Sequence, residues 1–428
     1  MTSSHAKPAR AQTHPLVFLL LIIPFGAASG FLGVTIVFLL GRAGVDPVTI
    51  AVLTGLSLMP HTFKFLYAPL VDLTLTRKQW FAMSSIASAL GIALLGMIPA
   101  TEAGLYWLKV LVVVGNFATA FLSMSVESLM AYNTAPSELG RTAGWFQAGN
   151  LGGSGLGGGL ALVIAENTTL TWMPGVVLAV ICLLTGLAIR FTDEPRPHLP
   201  ELADDQRSQD SLFIGVVVWR AIKRVLLDLW QVASSRMGYL GLLICFLPIG
   251  SGAAGGLFPL FATEWGASAN DVAATSGALS GLLSAFGCMV GGYFCDRMDR
   301  KAAYAVFGIL MSVCAVLMAW AAHNLTMYYV FVLGYGLISG LCYASFTAVT
   351  LEAIGTGAAA TKYSIFASLS NAPIAYMGIL NSYFFEQFGS NAGLYSDAAM
   401  GVGGVLVFLL VAVASKSLHT RYQQRGRV

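Results

Sequence analysis

Long apolar runs alternate with short polar breaks along the chain. Runs long enough to cross a bilayer lie near 16–41, 48–71, 80–99, 105–131, 142–165 and 172–191. After a polar stretch from Thr192 to Asp210 they resume near 238–262, 271–295, 302–321, 326–352, 362–385 and 393–415. About 20 apolar residues in a helix span the hydrocarbon core. The pattern therefore predicts an all-α membrane protein of about twelve transmembrane helices, six on either side of one linker. The run from Leu16 is too long for the apolar core of a signal peptide and is expected to persist as the first helix. The predicted organisation is a tail over 1–15, a bundle over 16–191, a linker over 192–237, a second bundle over 238–415 and a basic tail over 416–428.

The linker has two parts. Residues 192–210 are rich in Pro, Asp and Glu, a composition that favours a flexible segment. Residues 211–235 are apolar but carry Arg220, Lys223, Arg224 and Asp228. A further span would bury those charges. The better-supported reading is an amphipathic helix on the membrane surface, with Trp219 and Trp230 at headgroup level.

Composition agrees with this picture. Of 428 residues, 57% are hydrophobic and 10% charged, and the mean hydropathy is +0.75. Soluble chains carry about 25% charged residues, so membrane lipid is the expected solvent. The net charge of +3 is small, and the cations are not gathered into a stripe that would suit a nucleic acid. Six cysteines sit in apolar stretches without a CxxC pair. Cys288 and Cys295 share a helix face, which suggests packing before it suggests a metal or redox site. No structural disulfide, metal or cofactor is expected.

The positions of Lys and Arg set the topology. Arg77 and Lys78, Arg141, Arg190, Arg297, Arg300 and Lys301, Lys362 and the C-terminal cations all fall at one end of the predicted helices. The loops at the other end hold Arg42 and almost nothing else. Positive loops stay in the cytoplasm, which predicts cytoplasmic termini and a cytoplasmic linker.

The halves echo each other. Pro24-Phe-Gly26-Ala-Ala-Ser29-Gly30 in the first run is matched by Pro248-Ile-Gly250-Ser-Gly252 in the seventh, and such residues loosen helices that line a cavity. Glu127 and Glu352 stand near the ends of the fourth and tenth runs. Arg141 and Lys362 each precede an Asn by nine residues, Asn150 and Asn371. Internal repeats of this kind build many secondary transporters.

Polar residues inside the spans are the candidate chemistry. The stretch Pro60–Asp72 carries His61 and Lys64, expected on one helix face. An ammonium at bilayer depth costs about 2.5–3.5 kcal/mol on insertion scales, and Lys64 lies about 12 Å from Asp72 along a helix. Lys64 is thus expected either to meet an anionic substrate group or to reach back to the surface. His61 shows no partner in the sequence and is either a proton carrier or a hydrogen-bonded core residue. Glu127 and Glu352 are expected either to load a proton or to pair with the basic loop of their own half, Glu127 with Arg77 or Lys78, and Glu352 with Arg297 or Arg300. Gln147, Asn150, Asn371, Asn116 and Tyr343 either bond a substrate or join helices. Gly153 to Gly158 fits GxGxxG, but no strand precedes it and its surroundings are apolar, so close helix packing is expected in place of a dinucleotide site. The spans contain no HExxH pair or clustered Asp set, so an enzyme is not expected, and no P-loop is visible.

The segment Gly292-xxx-Asp296-Arg297-xx-Arg300-Lys301 resembles the loop signature of the major facilitator superfamily. The copy in the first half has Asp72 in place, with Pro69 near the usual Gly and no Arg directly after the Asp. Within that superfamily, Phe25–Gly30, the Lys64-Phe-x-x-Ala-Pro69 core and Ala360–Asn371 are similar to the AmpG-type branch of muropeptide permeases, acetyl-CoA transporters and some siderophore importers. The resemblance implies a permease of the inner membrane, working as a monomer by rocker-switch alternating access, with a small polar or anionic solute and protons as partners. It implies gates in which Asp72 faces the helix beginning near Lys362, and Asp296 the one beginning near Arg141, with Arg77, Lys78, Arg297 and Arg300 beside them. Muropeptide permeases often carry two extra helices for which this chain is short, so a siderophore importer of the same branch stands as the alternative, followed by an exporter.

Overall fold

The computed structural model describes residues 13–194, 233–355 and 359–425, with Lys223, Leu227, Trp230 and Gln231 described singly. Most of the N-terminal tail, the last three residues, most of the linker and most of its expected surface helix lie outside the described residues, and the expected basic tail from 416 continues the last helix as far as Arg425.

Among the described residues twelve helical passes follow one another: α1 (Pro15–Arg42), α2 (47–73), α3 (Arg77–Met97), α4 (Leu105–Asn133), α5 (139–167), α6 (Met173–Phe191), α7 (236–265), α8 (269–295), α9 (Arg300–Trp320), α10 (Leu325–Ile354), α11 (Ala359–Phe388) and α12 (Ser390–Arg425). Among the described residues there is no strand. The passes form two six-helix bundles. The first and last described residues, Thr13 and Arg425, lie at one end, here the terminal end; the other is the distal end. Side chains facing outward are apolar, among them Leu90, Val114, Leu282, Val306 and Leu410, as a lipid-facing surface requires.

Helix starts are fixed by side chains that satisfy orphan N–H groups. Asp46 accepts from the Thr49 N–H at the start of α2, Thr76 and Gln79 cap α3 reciprocally, and Asp299 and Asn324 cap α9 and α10. Among the described residues, nine of the twelve passes are long and apolar enough to cross a membrane as single helices. The exceptions are α2, α7 and α11. The first two are broken, and α11 carries Lys362, Ser364, Ser370, Asn371 and Asn381. Of these, α2 and α11 also contribute to the walls of the central cavity, and the break in α7 lines a smaller hollow beside it.

The sequence pattern treats α2 as continuous, but it runs in three pieces, Pro47–Thr62, Lys64–Tyr67 and Pro69–Leu73. Phe63 leaves helical geometry, and the Pro60 carbonyl accepts the Tyr67 hydroxyl at 2.6 Å across the gap. Pro69 has no N–H to continue the ladder. Lys64 thus opens a new helical turn and does not share an unbroken face with His61.

The matched Pro and Gly stretches of α1 and α7 behave differently. In α7 the helix Arg236–Phe246 ends, and Gly250 and Gly252 follow at φ 59° and 72°, where a Cβ would be strained. In α1 the chain stays helical through Pro24. There Gly26 and Gly30 press their backbones against α5 at Asn150 and Ser154, and leave the cavity to their neighbours Phe25 and Ser29. The Gly-rich part of α5 packs on α1 on one side and on Gly281 of α8 on the other, the small-residue contact expected in lipid.

Candidate functional site

A cavity of about 280 Å³ lies where the bundles meet. Helices α1, α2, α4 and α5 wall one side, and α10 and α11 the other. A smaller hollow of about 50 Å³ shares Tyr343, Phe346, Ser370 and Asn371 with it and reaches the α7 break at Ile249–Ser251.

The floor of the cavity, towards the terminal end, is polar. Lys64 Nζ donates to both oxygens of Glu127, at 2.9 and 3.1 Å, and both residues are buried. This corrects the expectation that Glu127 pairs with Arg77 or Lys78. Arg77 instead lies over the Tyr132 ring, donates to Ser128, and faces Glu194 at 3.7 Å. Glu194 also accepts the N–H groups of Arg77 and Lys78, so the first residues after α6 cap α3. Lys78 Nζ donates to the Thr192 carbonyl.

The Lys64 ammonium stands 5.7 Å from the centre of the Tyr363 ring, which comes from the other bundle. The Tyr363 hydroxyl and Thr347 Oγ1 are 3.3 Å apart, Gln147 Nε2 donates to Thr347 at 2.7 Å, and Asn150 Nδ2 donates to Gln147 at 2.9 Å. This chain of polar groups crosses from α5 to α10 and α11. Gln147, Asn150, Asn371 and Tyr343 all line the cavity. His61 does have a partner: its Nε2 is 3.0 Å from Asn116 Oδ1 and 3.4 Å from Thr119 Oγ1. Since Asn116 Nδ2 donates to the Val112 carbonyl, its oxygen is the atom turned to His61, and Nε2 carries the hydrogen of that bond.

At the terminal end each bundle holds the other by a carboxylate. Asp72 accepts from the N–H of Ala360 at 3.2 Å and from the N–H and hydroxyl of Thr361 at 2.9 and 2.7 Å. Asp296 accepts from the N–H groups of Gly140 and Arg141 at 2.7 and 2.9 Å, with the Arg141 guanidinium 4.0 Å away. In both cases the carboxylate sits at the start of a long helix, where the dipole favours negative charge. Arg300 adds a third link, donating to the Pro136 carbonyl at 2.8 Å. Arg77, Lys78 and Arg297 find partners within their own half. Glu352 takes Arg300 and Lys301, at 3.4 and 3.2 Å, and not Arg297, which stacks on Tyr293. Lys362 is buried and donates to the Ile354 carbonyl at the end of α10.

Sequence reasoning passed over Tyr363, Thr347 and Thr361. Tyr363 and Thr361 flank Lys362, whose charge drew attention away from them, and Thr347 has no mark of its own in an apolar run. Among the described residues no cluster of three His, Cys, Asp or Glu is placed to hold a metal.

The chain belongs to the Major Facilitator Superfamily, whose family model matches residues 17–378. Solved structures share the fold. The human organic anion transporter MFSD10 (TETRAN) is similar at TM-score 0.67 and 16% identity, over 94% of this chain and 100% of that one. FucP in the outward conformation is similar at TM-score 0.66 and 16% identity, over 94% and 99%. The proton:xylose symporter XylE bound to 6-bromo-6-deoxy-D-glucose is similar at TM-score 0.65 and 12% identity, over 93% and 94%. The chain is thus a transporter by family.

Proposed function

We propose that this protein is a proton-driven importer of a polar, anionic organic solute, placed in the cytoplasmic (inner) membrane with both termini in the cytoplasm. The AmpG-like stretches around Phe25, Lys64 and Lys362 favour a muropeptide as that solute, with a ferric siderophore next. One observation carries the reading: the buried Lys64–Glu127 pair in the cavity floor. A buried cation whose carboxylate partner becomes neutral needs a new anion. A proton arriving at Glu127 releases the ammonium, and an anionic group of the solute takes its place, within reach of Tyr363 and Gln147. Proton and solute then occupy the cavity together, which is symport. Loss of both returns Glu127 to Lys64 and resets the carrier.

Cations gathered at the terminal end support a cytoplasmic assignment for that end. The Asp72 and Asp296 contacts then act as gates that keep the cytoplasmic side shut while the cavity receives solute from outside, and alternating access requires them to break. Arg141 and Arg300 reinforce the Asp296 side.

The test is transport by the purified protein in proteoliposomes. Counterflow with muropeptides, ferric siderophores and acyl-CoA identifies the solute, and an imposed gradient, acid outside, should drive its accumulation. An anionic solute that equilibrates but never accumulates under that gradient would overturn the coupling. A preference for neutral or cationic solutes would overturn the role of Lys64.

A further inference from the structure

The C-terminal bundle buries a carboxylate that plays no part in the central site. Asp397 on α12 is 6% exposed. Its Oδ2 accepts the Tyr335 hydroxyl of α10 at 3.1 Å, and its Oδ1 accepts Asn381 Nδ2 of α11 at 2.9 Å. The Ala254 N–H, just after the break in α7, also faces it. Asn381 is oriented in turn by Ser396, whose hydroxyl donates to Asn381 Oδ1 at 2.6 Å. Four helices thus converge on one acid.

All of these partners are neutral. Among the described residues no Lys, Arg or His forms an ion pair with Asp397. Tyr335 is the titratable group bonded to it, and Cys314 of α9 and Cys342 of α10 lie near that phenol. Structural carboxylates buried at membrane depth are normally matched by a cation, as Glu127 is by Lys64. Asp397 lacks that match but has a full set of donors, so it can exist as a hydrogen-bonded anion or as a neutral acid.

Its position gives the change of charge a consequence. Ser251 Oγ accepts the Ala253 N–H at 3.3 Å, and Ile249, Gly250 and Ser251 line the smaller hollow beside the cavity. The turn over 249–254 therefore has one face on the solute space and the other on Asp397. Gly250 and Gly252 give it backbone freedom that an ordinary helix lacks. As an anion Asp397 attracts the Ala254 N–H. As an acid it has one fewer acceptor to offer, because its proton must itself be donated, and the turn is released.

We propose that Asp397 is a second proton-binding site, in the C-terminal bundle, whose occupancy is sensed by the broken segment of α7. Its use in transport rests on the proton-driven reading above, whereas the protonation itself can be observed without any solute. The experiment is infrared difference spectroscopy of the full-length protein in proteoliposomes, stepped in pH with no solute present. The expected result is a titrating carboxylic-acid C=O band that survives Glu127→Gln and disappears in Asp397→Asn. Identical spectra for wild type and Asp397→Asn overturn the proposal, even if transport proves proton-driven through Glu127 alone. Should Asp397→Asn fail to reach the membrane, Tyr335→Phe removes one donor to the same carboxyl. That variant should shift the frequency of the band that remains in the Glu127→Gln background, and an unmoved band, or no band there at all, overturns the assignment equally.

Discussion

Asp72 and Thr361 are joined by two hydrogen bonds, from the Thr361 N–H at 2.9 Å and from its hydroxyl at 2.7 Å, although 289 positions separate them in the chain. Asp296 repeats the contact in the opposite sense at Gly140 and Arg141. Each bundle therefore lends a carboxylate to the first turn of a helix in the other. Such bonds are strong enough to hold one arrangement and few enough to release it: one or two kcal/mol changes a population ratio about 5- to 30-fold.

Removing one of these carboxylates should therefore tilt the carrier without unfolding it. Asp296→Ala is expected to lower uptake about 5- to 30-fold, with the protein still present in the membrane. Asp72→Ala should do the same. Asp72→Asn keeps one acceptor oxygen and should fall between. Uptake assays normalised to membrane abundance measure this, and normal uptake by Asp296→Ala would count against a gate at that contact.

The Lys64–Glu127 pair makes a different kind of prediction. Breaking a buried pair on one side leaves an uncompensated charge and costs about 3–5 kcal/mol, whereas replacing both partners with apolar residues of similar size is often neutral. Lys64→Met and Glu127→Met should each lower the thermal stability of the purified protein, and the double variant should recover most of the loss. None of the three should accumulate the solute against a gradient. A double variant as unstable as the singles would show that the pair is not a unit, and a double variant that transports would show that the pair is not the site.

Glu127→Gln separates coupling from binding. It keeps the shape of the side chain and holds it neutral, as the protonated acid is. Counterflow should persist, because Lys64 is available to an anion at every pH. Accumulation against a gradient should vanish. In the wild type, uptake should rise as the outside pH falls, since protonation of Glu127 exposes the ammonium; in Glu127→Gln that dependence should flatten. Retention of the wild-type pH slope would move the coupling group elsewhere, with Asp397 next in line.

The fold was legible because span length and hydropathy are local properties, as were the acidic ends of α2 and α8, which stand out as charges at the edge of apolar runs. Pairing was less legible. Lys64 and Glu127 lie 63 positions apart, and a basic loop at the end of the same half looked like the nearer partner for Glu127. The break in α7 and the unbroken α1 share nearly the same Pro and Gly pattern. What separates them is tertiary: in α1 the glycines are pinned by the backbone of α5, and in α7 they adopt positive φ. Tyr363 and Thr347 carry no charge, so only the neighbouring bundle gives them a role.

Glycines at the seam between bundles lead to the last prediction. A Cβ built on Gly292 of α8 would lie 2.5 Å from the Gly140 carbonyl oxygen and 2.9 Å from the Gly144 Cα of α5. Both are backbone atoms and cannot move aside within the helix. Overpacking of this kind costs about 1–3 kcal/mol. Because the clash lies between bundles, next to the Asp296 contact, it is relieved when the terminal end opens, with no need for either bundle to unfold. Gly292→Ala should thus favour the state open at that end. Cys288, fully buried one turn away, reports on this: its labelling by a membrane-permeant maleimide, located by peptide mass, should rise in Gly292→Ala. Gly115→Ala in α4 is the control. Nothing lies within 4 Å of the added Cβ, and alanine is a better helix former than glycine by about 1 kcal/mol. Gly115→Ala should leave Cys288 protected and raise thermal stability slightly. Equal labelling of the two variants would mean that the α5–α8 seam does not part during the cycle.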